Sequence, residues 1–413
     1  VENGIKILST GEASVPVDDI DVQAAAYDEA KLLAKSEIAS FLGEMVSAED
    51  SIASEMMSNI KINGESQSKS VDIEKAKTQI KKINIEKELY DSNLQINKYY
   101  LFPAHGYRMR CEFAYKNDSY IMFDEGNKIE LENFNKAHPC IQNTMVALLS
   151  YLKTNKDLTI GLFQINFRTN GNETLVSLIY RKTIPDNFLK LIKKLESTSP
   201  IRCLARSKNK IITNFNNHII SEVLCLNKIY KLQHCDNSFY QPNYYALSKM
   251  IEFIGNHLEN CEDLLELYCG CGSFTIPLAT KFHRIFASDN NRDNIHNLKI
   301  HLEMNKITNV SFARISDDEL SQAMGGRVFN RMRDIEINLF KFSHVLVDPP
   351  RIGLHKDLIE RLVQFKNIIY VSCNPNTFLR DLNCLEGYKV KSLAVFDQFS
   401  NTEHLELIGI LSR

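Results

Sequence analysis

Glu266-Leu267-Tyr268-Cys269-Gly270-Cys271-Gly272-Ser273-Phe274 is the stretch that decides the fold. It ends an apolar run at Asp263–Tyr268 and opens a helical one at Thr275–Lys281. Gly270 and Gly272 let the backbone turn tightly and let a ligand approach it closely. The third glycine of a dinucleotide fingerprint is missing. Asp289 ends the next predicted strand, 19 positions after Gly270, where a carboxylate can accept hydrogen bonds from ribose hydroxyls. A plain strand-to-helix turn also explains the glycines, and a helix N-cap at Asp289 or Asn290 also explains the acid. Together they point to a cofactor of the adenosine type, with a nicotinamide cofactor as the rival.

Outward from this loop, strands alternate with helices. Strands are predicted at Asp263–Tyr268, Arg284–Asp289, Val310–Arg314, His344–Asp348 and Ile368–Ser372. Helices are predicted near Thr275–Lys281, Arg292–Asn305, Asp317–Ala323 and Lys356–Phe365. This alternation predicts an α/β fold, a doubly wound parallel sheet with helices on both faces, over residues 241–413. Two closing strands, Val390–Phe396 and His404–Leu411, are joined by a short connection. They are expected to pair antiparallel at one edge.

Upstream, residues 85–240 read as a mixed α/β domain with a largely antiparallel sheet. Strands are predicted at Arg110–Tyr115, Tyr120–Asp124, Gly161–Arg168 and Thr174–Tyr180, the last two joined at Asn170-Gly171. Helices are expected near Ile141–Lys153 and Asp186–Glu196. Residues 1–84 read as a mainly helical extension, with Asp18 and Asp19 capping a helix through Gln23–Phe41. A polar Asn63-Gly64 turn, the stretch Ser66–Ser70 and a charged helical run to about Lys82 follow. No chemistry is apparent in this segment.

Composition excludes little but bounds much. Of 413 residues, 44% are hydrophobic and 24% charged, ordinary for a globular chain. No apolar run approaches the ~18 residues of a membrane helix, and no signal segment opens the chain, so a cytoplasmic address is expected. Ten cysteines contain no Cys-x-x-Cys pair, which leaves a zinc or iron–sulfur site without support. The net charge of −2 conceals a gradient: residues 1–84 carry 9 Lys/Arg against 15 Asp/Glu, the remainder 40 against 36. The basic part is compatible with nucleic acid without requiring it.

Three further residues carry candidate chemistry. Val347-Asp348-Pro349-Pro350-Arg351 places an acid at the end of the fourth strand, and the prolines block helical continuation. That carboxylate can accept hydrogen bonds from a planar nitrogenous ring, although Asp-Pro-Pro also serves as a rigid loop start. Cys373, in Ser372-Cys373-Asn374-Pro375, stands before a helix whose dipole favours thiolate, which marks it as a nucleophile where most cysteines are inert core. Glu406 lies in a strand apolar on both faces. A carboxylate there is a general base with a raised pKa, a paired structural acid, or an exposed strand end.

Read together, these segments resemble the TrmA family, the tRNA (uracil-54-C5)-methyltransferases that make RNA 5-methyluridine. The resemblance covers about residues 85–413. It rests on Tyr107-Arg108-Met109-Arg110 with Glu112-Phe113, Gly161-Leu162-Phe163-Gln164, Gln241-Pro242-Asn243 and Leu267–Gly272. Asp348–Leu354, Ser372–Pro375 and Phe396-Asp397-Gln398-Phe399 through Glu406 complete it. The resemblance implies an S-adenosyl-L-methionine-dependent methyltransferase with Cys373 as nucleophile and Glu406 as the base that removes the carbon-5 proton. It implies cofactor contacts from Gln241, Tyr268, Gly270, Ser273, Asp289 and Asp348, and RNA contacts from Arg108, Arg110 and Phe163. Cys271 and Ser273 replace the family's usual asparagines, Asp289 its usual glutamate and Ser400 a common proline.

The missing cysteine cluster tilts the expected substrate toward transfer RNA, gripped at its T-loop and elbow by residues 85–240. No metal, no membrane and a monomeric state are expected. Ribosomal RNA methylation without an iron–sulfur cluster, exocyclic amino methylation and a chaperone-like role in transfer RNA folding are the alternative readings.

Overall fold

In the computed structural model, residues 78, 81–124, 127–198, 200–236, 238, 240–400, 402 and 404–413 are described. The helix expected at Gln23–Phe41, the Asn63-Gly64 turn and Ser66–Ser70 lie outside them. The chain divides into a larger unit, residues 101–392 with 406–413, and a smaller one, residues up to 100 with 393–405.

Among the described residues of the smaller unit, 81–91 are helical (α1). The helical run expected to end at about Lys82 continues to residue 91, because Ile85 and Leu89, four apart on one helix face, are both buried and carry the helix through. Lys81 reaches the buried Asp397 at 2.5 Å. After α1, strand β1 (Lys98–Leu101) starts beside residue 393. The Asn97 N–H donates to the Leu393 carbonyl at 2.9 Å, and the Leu393 N–H to Asn97 Oδ1 at 2.7 Å. Tyr100 stacks on Phe396 with ring centroids 4.5 Å apart.

The larger unit opens with β2 (Arg110–Lys116), β3 (Ser119–Asp124) and β4 (Asn127–Leu131), then α2 (Pro139–Thr154). Next come β5 (Leu162–Thr169), β6 (Thr174–Tyr180), α3 (Phe188–Thr198), β7 (Ile201–Ser207) and β8 (Lys210–Thr213). They form a sheet of order β4-β3-β2-β5-β6-β7-β8. Every neighbouring pair is antiparallel except β6 with β7, which α3 connects. Met145, Leu148 and Leu149 of α2 and Ile192 and Leu195 of α3 share one core with Phe113, Tyr120, Phe167 and Val176 of the sheet. Each such large side chain contributes about 1.5–3 kcal/mol when buried. The hairpin β9 (His218–Cys225) and β10 (Lys228–Cys235) follows; the sequence reading had not marked it.

After α4 (Tyr244–Asn256) come β11 (Asp263–Leu267), α5 (Thr275–Leu278), β12 (Arg284–Asp289), α6 (Arg292–Asn305), β13 (Val310–Arg314) and α7 (Asp317–Met324). The chain continues through β14 (Phe342–Val347), α8 (Lys356–Leu362), β15 (Asn367–Ser372), α9 (Pro375–Asn383), β16 (Lys389–Asp397) and β17 (Glu406–Ser412). Strands β15-β14-β11-β12-β13 are adjacent in that order and parallel throughout. The run from Ile368 to Val371 in β15 is fully buried, as a strand covered on both faces requires. β17 lies antiparallel to β15, with Tyr370 opposite Gly409 and Ser372 opposite Leu407. The result is a Rossmann-like, doubly wound sheet with an antiparallel end.

Candidate active site

The strand order reverses at β11, which has β14 on one side and β12 on the other. Helices leave in opposite directions there, and a crevice opens at the carboxyl ends of the strands. The loop after β11, Asp289 at the end of β12, Asp348 after β14 and Cys373 after β15 all stand on that rim.

The loop after β11 is wound by three residues with positive φ, Tyr268 (58°), Gly270 (56°) and Gly272 (88°). A Cβ at Gly272 would sit 2.5 Å from Leu298 Cδ1 of α6, so the loop packs there at glycine distance. A Cβ at Gly270 would meet nothing within 4 Å, because that backbone faces open space. Asp289 fixes the arrangement by accepting from the Gly270 N–H at 3.0 Å and from Asn291 N–H at 2.7 Å. The cap of α6 is Asn291, neither Asp289 nor Asn290. The Tyr268 hydroxyl donates to Asp317 at 2.9 Å, and Ser273 Oγ lies 3.9 Å from Cys271 Sγ. His301 of α6 holds the Cys271 carbonyl at 2.7 Å from beneath.

Glu266, on β11, was not singled out from the sequence. It is completely buried, and neither carboxylate oxygen has a well-formed hydrogen bond. Burial carries its carboxyl up to about 8; Thr275 offsets part of this and Asp348 adds to it. Burial likewise pushes Asp348 up to about 7. An open glycine face beside the unsatisfied Glu266 carboxyl and the Asp348 carboxyl fits a ligand that carries both a ribose and a cationic group.

Cys373 is half-buried. The β15–β17 register sets Ser372 against Leu407 and therefore brings Glu406, itself buried, alongside Cys373. The helix dipole had been expected to favour thiolate. Instead burial raises the thiol above its ordinary value; Glu406 and Asp348 add to this, and Arg351 pulls it down. The structure thus brings Glu406 and Asp348 within electrostatic reach of Cys373.

Arg108 and Arg110 meet the segment that leads into α4. Arg108 bridges Asn243, and the Met109 N–H donates to the Pro242 carbonyl at 2.8 Å, beside the buried Gln241. Arg110 pairs across β2 and β5 with Arg168, an arginine the sequence reading passed over. Arg168 is buried, with Nε and Nη1 lacking partners and Nη2 donating to the Ser238 carbonyl at 3.1 Å. Phe163 is not brought to this cluster. It is the second residue of β5, five residues from Arg168, or about 17 Å along the strand, beneath the Arg181 guanidinium. Among the described residues no group of three or more His, Cys, Asp or Glu is placed to hold a metal ion, and no helix is long and apolar enough to cross a membrane.

Comparison with known proteins identifies the family and the fold. A family model described as tRNA (Uracil-5-)-methyltransferase matches residues 73–413. The tRNA/tmRNA (uracil-C(5))-methyltransferase of Campylobacter concisus is 39% identical over 317 residues, covering 75% of this chain and 86% of the relative. The protein of that name from Colwellia psychrerythraea is 35% identical over 347 residues, covering 81% and 95%. Among solved structures, the fold is similar to that of Pyrococcus abyssi tRNA (uracil-54, C5)-methyltransferase, determined in complex with S-adenosyl-L-homocysteine. The TM-score is 0.64 at 22% identity, over 81% of this chain and 82% of that one.

Proposed function

The chain belongs to the tRNA (uracil-5-)-methyltransferase family, and on that premise we propose that it methylates carbon 5 of uridine 54 in the T-loop of transfer RNA through a covalent bond from Cys373. S-adenosyl-L-methionine supplies an electrophilic methyl on a sulfonium. The observation that carries the reading is the convergence of Asp348 and Cys373, at the carboxyl ends of β14 and β15, with Glu406, at the amino end of the antiparallel β17.

Carbon 5 of uracil is too weak a nucleophile to take a methyl group unaided. Attack of the Cys373 thiolate on carbon 6 forms an S–C6 bond and an enolate with negative density at carbon 5. Carbon 5 would then take the methyl, the S–CH3 bond of the donor breaking to leave a neutral thioether. Glu406 removes the remaining carbon-5 proton, the electron pair restores the C5–C6 double bond, and the S–C6 bond breaks to return the thiolate. Arg351 favours the thiolate against the two acids beside it. On the binding side, Gly270 gives a ligand access to the backbone, Gln241, Tyr268 and Ser273 line the approach, and Asp289 takes ribose hydroxyls. Asp348 and the buried Glu266 provide acceptors for the cofactor's polar and cationic groups. Residues 85–240 grip the RNA through Arg108, Arg110 and Phe163, and residues 241–413 perform the chemistry. The protein works as a cytoplasmic monomer.

Cys373→Ala is expected to bind cofactor normally and lose turnover by several orders of magnitude; substantial methylation by that variant removes the nucleophile. Glu406→Gln should accumulate an enzyme–RNA adduct on denaturing gels, and ordinary release counts against Glu406 as base. Nucleoside mass spectrometry of cellular transfer RNA and tmRNA, with and without the protein, tests reaction and substrate together. 5-Methyluridine that persists at position 54 in its absence ends the proposal.

A further inference from the structure

The loop after β14 carries an isoleucine in an unexpected place. Ile352 is 75% exposed, and Arg351 beside it is exposed too. Neither is loosely held. Pro349 and Pro350 fix the entry to the loop. The Gly353 N–H closes a turn onto the Pro350 carbonyl at 2.8 Å. Asn374 Nδ2 donates to the Arg351 carbonyl at 3.2 Å, and Arg380 Nη2 to the Ile352 carbonyl at 2.9 Å. The Leu354 N–H donates to Asp381 Oδ2 at 2.7 Å. Gly353 lies so close to α9 that a Cβ would fall 2.6 Å from Arg380 Nη2 and 2.7 Å from Asp381 Oδ2.

Asn374, Arg380 and Asp381 belong to α9 or its cap, and Cys373 immediately precedes that cap. Loop tip and nucleophile are therefore mounted on one helix at a fixed separation. The pinned backbone gives Ile352 no route to retract into the core. An apolar side chain held outward beside a nucleophile has no hydrogen-bonding part to play, but it is suited to a space between stacked bases. A uridine that leaves its stack to reach Cys373 opens such a space next to the tip.

We propose that the Arg351–Ile352 tip is an RNA-contact element in which Ile352 inserts into the base stack where the target uridine leaves it and Arg351 engages the adjacent phosphate. This inference rests on the reading of Cys373 as the nucleophile toward RNA. The chemistry required of the partner is a stacked polynucleotide with one base displaced.

The test uses the full chain with two RNAs of the same loop sequence, one a folded T-arm stem–loop and the other an unstructured oligoribonucleotide. Ile352→Ser should lower kcat/KM on the folded RNA about 10- to 100-fold, because unstacking is no longer compensated, and on the unstructured RNA by less than about 3-fold. Ile352→Met, which keeps an apolar wedge, should restore the folded substrate. A 2-aminopurine next to the target uridine should brighten on binding the wild type and stay dim with Ile352→Ser. Arg351→Ala should reduce the salt slope of binding by about one phosphate contact. Equal losses on both RNAs, or none on either, overturn the wedge, as does an Ile352 contact satisfied by a protein in place of RNA. RNA carrying 5-fluorouridine separates the two failures. A wild-type adduct together with substrate-independent effects at Ile352 ends this inference alone, whereas no adduct with the wild type ends the reading of Cys373.

Discussion

Gly270 and Gly272 sit two residues apart in one loop, share a positive φ and answer to different constraints. Gly272 is pressed against Leu298, whereas Gly270 looks into open space. Gly272→Ala must displace a buried leucine and adopt a left-handed backbone, at a cost of about 1–3 kcal/mol. Gly270→Ala meets no protein atom and loses about 1 kcal/mol from its backbone alone, but its methyl group enters the crevice. Urea unfolding should therefore penalise Gly272→Ala more, while calorimetric titration with S-adenosylhomocysteine should penalise Gly270→Ala more. The opposite ranking in either experiment would place the cofactor elsewhere. The glycines themselves were visible in the sequence. Their division of labour was not, because it depends on Leu298, which belongs to a helix one strand further on.

At the level of elements, the nucleophile's position depends on how α9 is fastened. Asp381 is completely buried and accepts from the Tyr370 hydroxyl of β15 at 2.6 Å, from the Leu354 N–H at 2.7 Å and from Arg380 at 2.6 Å. One carboxylate thus ties the helix after Cys373 to the strand before it and to the loop carrying Asp348. Asp381→Ala strands a buried hydroxyl and an N–H and should reduce unfolding free energy by about 3–5 kcal/mol in urea. A change within about 0.5 kcal/mol, the range of neutral surface substitutions, would show that the fastening is dispensable. Pro375 and the strand preceding Cys373 were legible as a strand–turn–helix. Asp381 was not, since mid-helix acids are ordinary on a solvent face and only the fold shows this one turned inward.

Across the whole molecule, buried titratable groups set a pH window. Burial drives His234 down to about 3 and His344 to about 4, and lowers His301. A histidine with a depressed folded pKa contributes stability that is present above its unfolded value, about 6.5, and is lost as pH falls below it. Glu266 at about 8 and Asp348 at about 7 work the other way. Their raised folded pKa values contribute stability below about 4.5 that is lost as pH rises toward 8. Between about pH 4.5 and 6.5 the two effects oppose each other. Below that range the histidines dominate, and above it the acids do. The Tm of the apo protein should be highest near pH 6–7 and decline on both sides. A Tm rising steadily from pH 6.5 to 8.5 would contradict the buried acids, and saturating S-adenosylhomocysteine should flatten the alkaline decline.

The sequence by itself determined the alternation of strands and helices from β11 to β15, the glycine loop, and the identity of the acid and thiol at the ends of β14 and β15. Those features are local: periodicity, turn chemistry and proline placement act within a few residues. Tertiary structure alone decided which side chains meet. Glu406 and Asp348 stand 33 and 25 positions from Cys373, and burial first, with their approach adding to it, raises a thiol that its own helix terminus was expected to acidify. Arg168 faces Arg110 only because β5 pairs with β2 in one register, and a one-residue slip would turn it to the other face. Burial decided the rest, since a carboxylate such as Glu266 takes its protonation state from the dielectric around it, which no stretch of sequence states.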